Sequence, residues 1–416
     1  MSFYKILALS LLPALAFGQA GLEEDAPALC YTTENYAASY DIYSWNARNS
    51  IISDKLAEGE FHGQVEAPEG SVLTSIKLSP ESSEELPIFI NENYNRSMLE
   101  HLFIVIHGKR RDGDHYWKIM NDAIMDAKDE GFYKSERQVA VISPQFYSTV
   151  YNSGAYSEKQ LAWGDLNAWQ SGGTATHPTE TTTSSFDALD YLISGFTDSL
   201  QYPKLTNITV VGHGGGGQLA QRYAAVGKDF SEHVHIRYIH GDPSSCAYFT
   251  TDRPILTDTG GVQAVCQYNN TWRYGFDKFD GEHPEKTPQE YFKQYITRDV
   301  VSLVGYEDTS STGDESCMAR AQGGRRRRDR NLTWYRYINM LAGTDEDLTG
   351  FPGEFQDITD WSQIANNRSS LRLVIVKDAE HNMKELLRNE NARSALFEDK
   401  DVKIGWRPTR SPDMTE

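Results

Sequence analysis

Gly212-His213-Gly214-Gly215-Gly216 follows the β-branched run Ile208-Thr209-Val210-Val211 and precedes a helical stretch, Leu219 to Val226. A strand, a sharp glycine-flanked turn and a helix together form the setting in which acyl-transfer enzymes present a nucleophile, written G-x-S-x-G. The flanking glycines are needed because strand and helix approach too closely for side chains. The turn residue itself bears a strained, left-handed backbone. Here that central residue is Gly214, so every part of the turn is present except the hydroxyl.

Two further residues fall in the order that such chemistry requires along the chain: nucleophile turn, acid, base. Asp308 closes the apolar run Val300 to Val304, and His381 closes Leu371 to Val376. A histidine base needs a carboxylate on its far ring nitrogen to fix its tautomer and stabilise its cation. Asp308 is the first choice for that role, with Glu307, Asp242 and Asp378 as alternatives. An oxyanion hole needs two backbone N–H donors, one after the turn residue and one from an early strand–helix loop. Gly215 and Lys109, the latter following His107-Gly108, occupy those positions. His107, His213 and His240 are expected to line the same crevice.

The elements that must hold these residues alternate between β-rich runs and helical stretches, the pattern of a parallel sheet wrapped by helices. Strands are expected at 101–106, 139–142, 207–211, 234–239, 300–304 and 371–376, and helices at 116–128, 186–200, 219–226 and 288–296. Residues 21–100 are less periodic and are expected to supply leading antiparallel strands, for example Val72 to Leu78. The polar stretch from Tyr147 to Thr183 is long enough to be functional and to roof a pocket. No internal repeat or low-complexity linker divides the chain, so one domain over 21–416 is expected.

Residues 1–20 carry Lys5, an apolar run from Ile6 to Phe17 and then small residues, the order of a secretory signal peptide. The run is too short for the roughly 20 residues that cross a bilayer, and the polar tail argues against a membrane anchor. Sequons at Asn95, Asn207, Asn269, Asn331 and Asn367 agree with a secreted glycoprotein. Cys30, Cys246, Cys266 and Cys317 form an even set, which in an oxidising compartment suggests two disulfides of open connectivity. A net charge of −19 excludes a nucleic-acid partner as a reasonable reading. Against that charge stands Arg325-Arg326-Arg327-Arg328, which reads either as a processing or anion-binding site or, in the favoured reading, as a solvated loop or arginines paired with local acids such as Asp329. No His/Asp/Glu group has metal-ligand spacing, so neither a metal nor a cofactor is expected.

The chain resembles a family of secreted fungal α/β-hydrolase-like proteins. The resemblance rests on Ile104-Val105-Ile106-His107-Gly108, Ser143-Pro144-Gln145-Phe146, Leu161-Ala162-Trp163-Gly164-Asp165 with Trp169, and Ser184-Ser185-Phe186-Asp187. It continues through Gly212-His213-x-x-Gly216-Gly217-Gln218, Arg222-Tyr223-Ala224, Pro243-Ser244-Ser245, Arg273-Tyr274-Gly275, Gly305-x-x-Asp308 and Cys317 to Arg328. It spans about residues 70–400 and implies an α/β-hydrolase fold, Asp308 and His381 as acid and base, and a Cys266–Cys317 bridge. The family turn reads G-H-S-A-G-G-Q, and this chain departs from it at the serine and the next alanine.

A serine hydroxyl forms the acyl-enzyme, so a covalent route has no nucleophile at position 214. The first expectation is therefore an impaired serine hydrolase that keeps its pocket for a small-molecule or peptide ligand. The alternative is an active hydrolase of esters, amides or peptides. It would use water activated by His381, or another hydroxyl, for which Ser244 and Ser245 are the candidates.

Overall fold

The computed structural model describes residues 66–164, 167–230, 232–256, 268–279, 286–310, 313–314, 316–398 and 401–412. The expected signal peptide, Cys30 and Cys266 lie outside them. Ten strands are present among the described residues: β1 Ser71–Lys77, β2 Glu85–Asn91, β3 His101–Ile106, β4 Val139–Pro144, β5 Tyr147–Ser148, β6 Ala162–Trp163, β7 Asn207–His213, β8 His235–Gly241, β9 Asp299–Gly305 and β10 Arg372–Val376. Helices of eight residues or more are α1 Gly113–Asp129, α2 Ser185–Phe196, α3 Gly215–Val226, α4 Pro288–Thr297, α5 Arg327–Ala342 and α6 Glu390–Phe397. No helix among the described residues is long and apolar enough to cross a membrane.

Eight strands make one sheet in the order β1-β2-β4-β3-β7-β8-β9-β10. β1–β2 and β2–β4 are antiparallel, and every pairing from β4 to β10 is parallel. The parallel part is covered on both faces, which is why its strands read as near-continuous apolar runs. Along β3, Leu102, Ile104 and Ile106 join the core beneath α2, α3, α4 and α5. The alternate residues Phe103 and Val105 join the core beneath α1 and α6. Such alternation follows from the period of two along a strand.

The expected strands and helices are found, with shifted ends. The helix at 186–200 stops at Phe196; its start is fixed by a capping box in which Ser184 and Asp187 satisfy each other's backbone N–H groups. Helix α5, which opens on Arg327 and Arg328, was not expected; the reading of the arginine run as solvated holds for exposed Arg325 and is corrected for Arg327 and Arg328. Arg327, Arg328 and Arg330 are all buried. Arg328 pairs with Asp329, as anticipated, and Arg330 donates to the carbonyls of Ser244, Asp314 and Gly324.

The stretch 147–183 is packed rather than loose. It contains the parallel β5–β6 pair, and its Trp163 and Trp169 are fully buried around Phe146. Among the described residues, only Gln170 from this stretch borders the main cavity.

Candidate active site

β7 enters α3 through Gly214, which has φ 58° and ψ −114°. Three of the surrounding glycines are required by packing. A Cβ on Gly212 would stand 2.1 Å from the Gly216 carbonyl oxygen; on Gly216, 2.3 Å from that of Ile106; on Gly217, 2.3 Å from that of Gly241. Each contact is with backbone, which cannot move aside without disturbing the sheet. Gly214 differs. A Cβ there would approach only His381, at 3.1 Å from Nε2 and 3.4 Å from Cε1.

The parallel sheet brings the other residues to this turn. β9 and β10 lie beside each other in register, Gly305 opposite Val376, so the loops after them emerge together. The Nδ1 of His381 lies 3.0 Å from Oδ2 of Asp308. Arg327, at the start of α5, donates through Nε to Oδ2 at 2.9 Å and through Nη2 to Oδ1 at 2.7 Å. Burial alone would raise the Asp308 pKa. The hydrogen bonds and charges of His381 and Arg327 outweigh it and hold the carboxylate well below its usual range. His381 is also shifted down, chiefly by burial and then by neighbouring His213, which leaves it neutral and able to accept a proton. Of the alternative acids, Glu307 and Asp378 are exposed.

Asp242 is different: fully buried, with φ 41°, and turned toward the site from the end of β8. Its Oδ1 accepts from the Gly305 amide at 3.0 Å. Its Oδ2 lies 3.6 Å from Nε2 of His213, and neither atom has a hydrogen-bond partner. Burial, followed by the charge of Asp308, pushes the Asp242 pKa well up. Burial pushes the His213 pKa down to about 4. The His213 ring lies 4.3 Å from the His381 ring, centroid to centroid, and its Nδ1 is 3.3 Å from the Tyr116 hydroxyl. Sequence spacing did not single out a metal set, because these groups sit on three separate strand ends. One ligand-capable atom from each of His213, Asp242 and His381 falls within 4.8 Å of the others.

His213, Gly214, Arg327 and His381 border a cavity of about 420 Å³, whereas the buried Asp242 and Asp308 do not line it. Gly215 and Lys109, the expected oxyanion donors, both line it. The Lys109 amide nitrogen is 3.2 Å from where a Gly215 Cβ would stand, so the two backbones are side by side. Gly215 opens α3, where first-turn N–H groups lack intrahelical acceptors.

Of the three crevice histidines, only His213 borders the cavity. His107 is buried, with Nδ1 against the Gly108 carbonyl and Nε2 accepting from the Phe146 amide. His240 is buried against the Tyr295 hydroxyl. Both sit on inward-facing strand ends, so the expectation of three lining histidines is corrected to one. Ser244 borders the cavity, whereas Ser245 is buried between Arg222 and Gln218.

Two expected modification sites are also corrected. Asn331 is 1% exposed, with its amide donating to the carbonyls of Pro243 and Arg327, which excludes a glycan on the folded chain. Asn95 and Asn367 are exposed, and Asn207 and Asn269 partly so. Cys246 is a buried free thiol in the segment after β8, so the four cysteines do not pair as two disulfides.

No protein-family model matches the chain, and no curated protein matches it in sequence. Solved structures do. The chain is similar to LpqC, a poly(3-hydroxybutyrate) depolymerase from Bordetella parapertussis, with a TM-score of 0.51 at 14% identity, covering 80% of this chain and 91% of that one. The fold is that of an α/β-hydrolase. Weaker likenesses are to poly(aspartic acid) hydrolase-1 from Sphingomonas sp. KT-1, at TM-score 0.48, 16% identity, and 77% and 96% coverage. A further one is to the siderophore hydrolase EstB from Aspergillus nidulans, at TM-score 0.43, 12% identity, and 82% and 99% coverage. At such identities the hydrolase fold is what is shared.

Proposed function

We propose that this is an α/β-hydrolase-fold protein that has lost the covalent step of serine hydrolysis. It retains a pocket for a small carbonyl ligand, an ester, amide or peptide. The observation that carries this reading is the approach of His381 Nε2 to Gly214. A base already paired to its acid stands 3.1 Å from a Cβ position that bears no side chain. Serine at 214 would need His381 to retreat by a few tenths of an ångström, which a side chain one-third exposed can do. Without that hydroxyl, the paired backbones of Gly215 and Lys109 still offer a place for a carbonyl oxygen. This supports ligand binding, and slow attack by water, over acyl transfer.

Secretion belongs to the same reading. The signal-like N-terminus and the exposed sequons at Asn95 and Asn367 support an oxidising, extracytoplasmic destination. One domain over residues 21–416 is the simplest organisation for it.

A serine-directed fluorophosphonate tests the central claim. The native protein should not label, and Gly214→Ser should. Labelling of the native protein at any hydroxyl of the cavity, Ser244 included, would overturn the reading. Failure of folded Gly214→Ser to label would remove Asp308 and His381 as a working pair.

A further inference from the structure

We propose that His213, Asp242 and His381 bind a divalent transition-metal ion, Zn²⁺ by preference. The argument starts from two buried atoms that the protein leaves without hydrogen bonds, Nε2 of His213 and Oδ2 of Asp242. Their residues are 3% and 0% exposed, so water does not satisfy them from bulk. A buried polar atom left unpaired costs the desolvation it is not repaid for. They face one another at 3.6 Å, too far for a hydrogen bond. Around a tetrahedral zinc ion with bonds of about 2.0–2.1 Å, two donors stand about 3.3 Å apart, so the separation suits a shared ion. A third ligand is at hand in His381, since one donor atom from each of the three residues lies within 4.8 Å of the others. No pair needs to close by more than about 1.5 Å to reach tetrahedral spacing.

The groups behind these ligands are those of a built metal site, where outer partners orient each donor. The Gly305 amide holds Oδ1 of Asp242, leaving Oδ2 turned to the cluster. The Tyr116 hydroxyl holds Nδ1 of His213, leaving Nε2. Asp308, itself gripped by Arg327, holds Nδ1 of His381. Asp242 is moreover kept at a positive φ that non-glycine residues rarely adopt. Two imidazoles and one carboxylate are a ligand set zinc accepts with a position left for water. A zinc-bound water ionises near pH 7, which would offer the pocket an oxygen nucleophile that Gly214 does not supply.

The proposal goes beyond the ligand-binding reading and does not rest on it. Its test is titration of chelator-treated full-length protein with Zn²⁺ and, separately, Mg²⁺ by calorimetry. Cobalt loading adds a visible spectrum. The expected result is saturable zinc binding, no response to Mg²⁺, and a tetrahedral-type cobalt spectrum. Asp242→Asn should weaken zinc by about 100-fold or more, beyond the 10–100-fold usual for loss of an outer-shell partner. If that variant does not fold by circular dichroism, His381→Gln, at a partly exposed position, carries the same expectation. Absence of saturable zinc binding, or binding undiminished in the folded variant, overturns the proposal. Fluorophosphonate labelling of Gly214→Ser is read on zinc-free protein, so the two readings fail separately.

Discussion

Arg327 grips both carboxylate oxygens of Asp308, at 2.9 and 2.7 Å, with both side chains essentially out of solvent. The acid that orients His381 is thus held by the first residue of α5. Removing one partner of a buried pair strands the other charge, which costs about 3–5 kcal/mol. Arg327→Ala is expected to lower the unfolding free energy by that amount in urea denaturation. In a Gly214→Ser background it should also slow fluorophosphonate labelling, because Asp308 would no longer be fixed. Unchanged stability would mean that the pair is solvated.

Gly214→Ser should carry a stability penalty along with its gain in labelling. Position 214 has φ 58°, and strain at such backbone costs of order 1–3 kcal/mol for a residue with a side chain. Urea midpoints of the two proteins measure it directly. A gain in stability would contradict the strained-turn account.

Intact mass and glycopeptide mapping of protein from a eukaryotic secretion host test the sequons. Glycans are expected at Asn95 and Asn367 and not at Asn331. Asn331→Ala should instead destabilise by about 1–3 kcal/mol, since the carbonyls of Pro243 and Arg327 lose their buried donor.

His101 opens β3 fully buried, between the Tyr133 and Thr209 hydroxyls, each at 2.8 Å. Burial first, then Arg137, push its pKa well below 6.5. The unfolded chain therefore binds a proton that the folded one does not. Stability is complete above the unfolded value, about 6.5, and falls as pH drops below it, by about 1.4 kcal/mol per pH unit for one such proton. His101→Gln should flatten the plot of unfolding free energy against pH below 6.5 by that slope. An unaltered slope would assign the acid sensitivity elsewhere.

Much of the hydrolase fold was legible because β3, β7, β8, β9 and β10 are buried on both faces and so announce themselves as apolar runs. Turn, acid and histidine were legible because the fold fixes their chain order. Helix α5 was not, since arginines that bury by pairing look in sequence like arginines that face water. The Asp308–Arg327 clamp was lost with it. The meeting of His213, Asp242 and His381 was equally hidden: His213 and His381 are far apart in sequence, and the shared end of the parallel sheet, not ligand spacing, brings them together. Asp242 itself could be noticed only as an alternative acid, because nothing local reveals that its second oxygen is left without a partner.

The glycine run after β7 also records two independent histories. At 212, 216 and 217 any side chain would collide with a neighbouring backbone, so divergence there is closed whatever the chemistry does. At 214 the obstacles are the tip of one histidine and the backbone strain of a side chain at φ 58°, neither of which closes the position. In a lineage that carries this chain, three glycines would therefore persist as fossils of architecture, while position 214 would be open to drift with the presence or loss of activity.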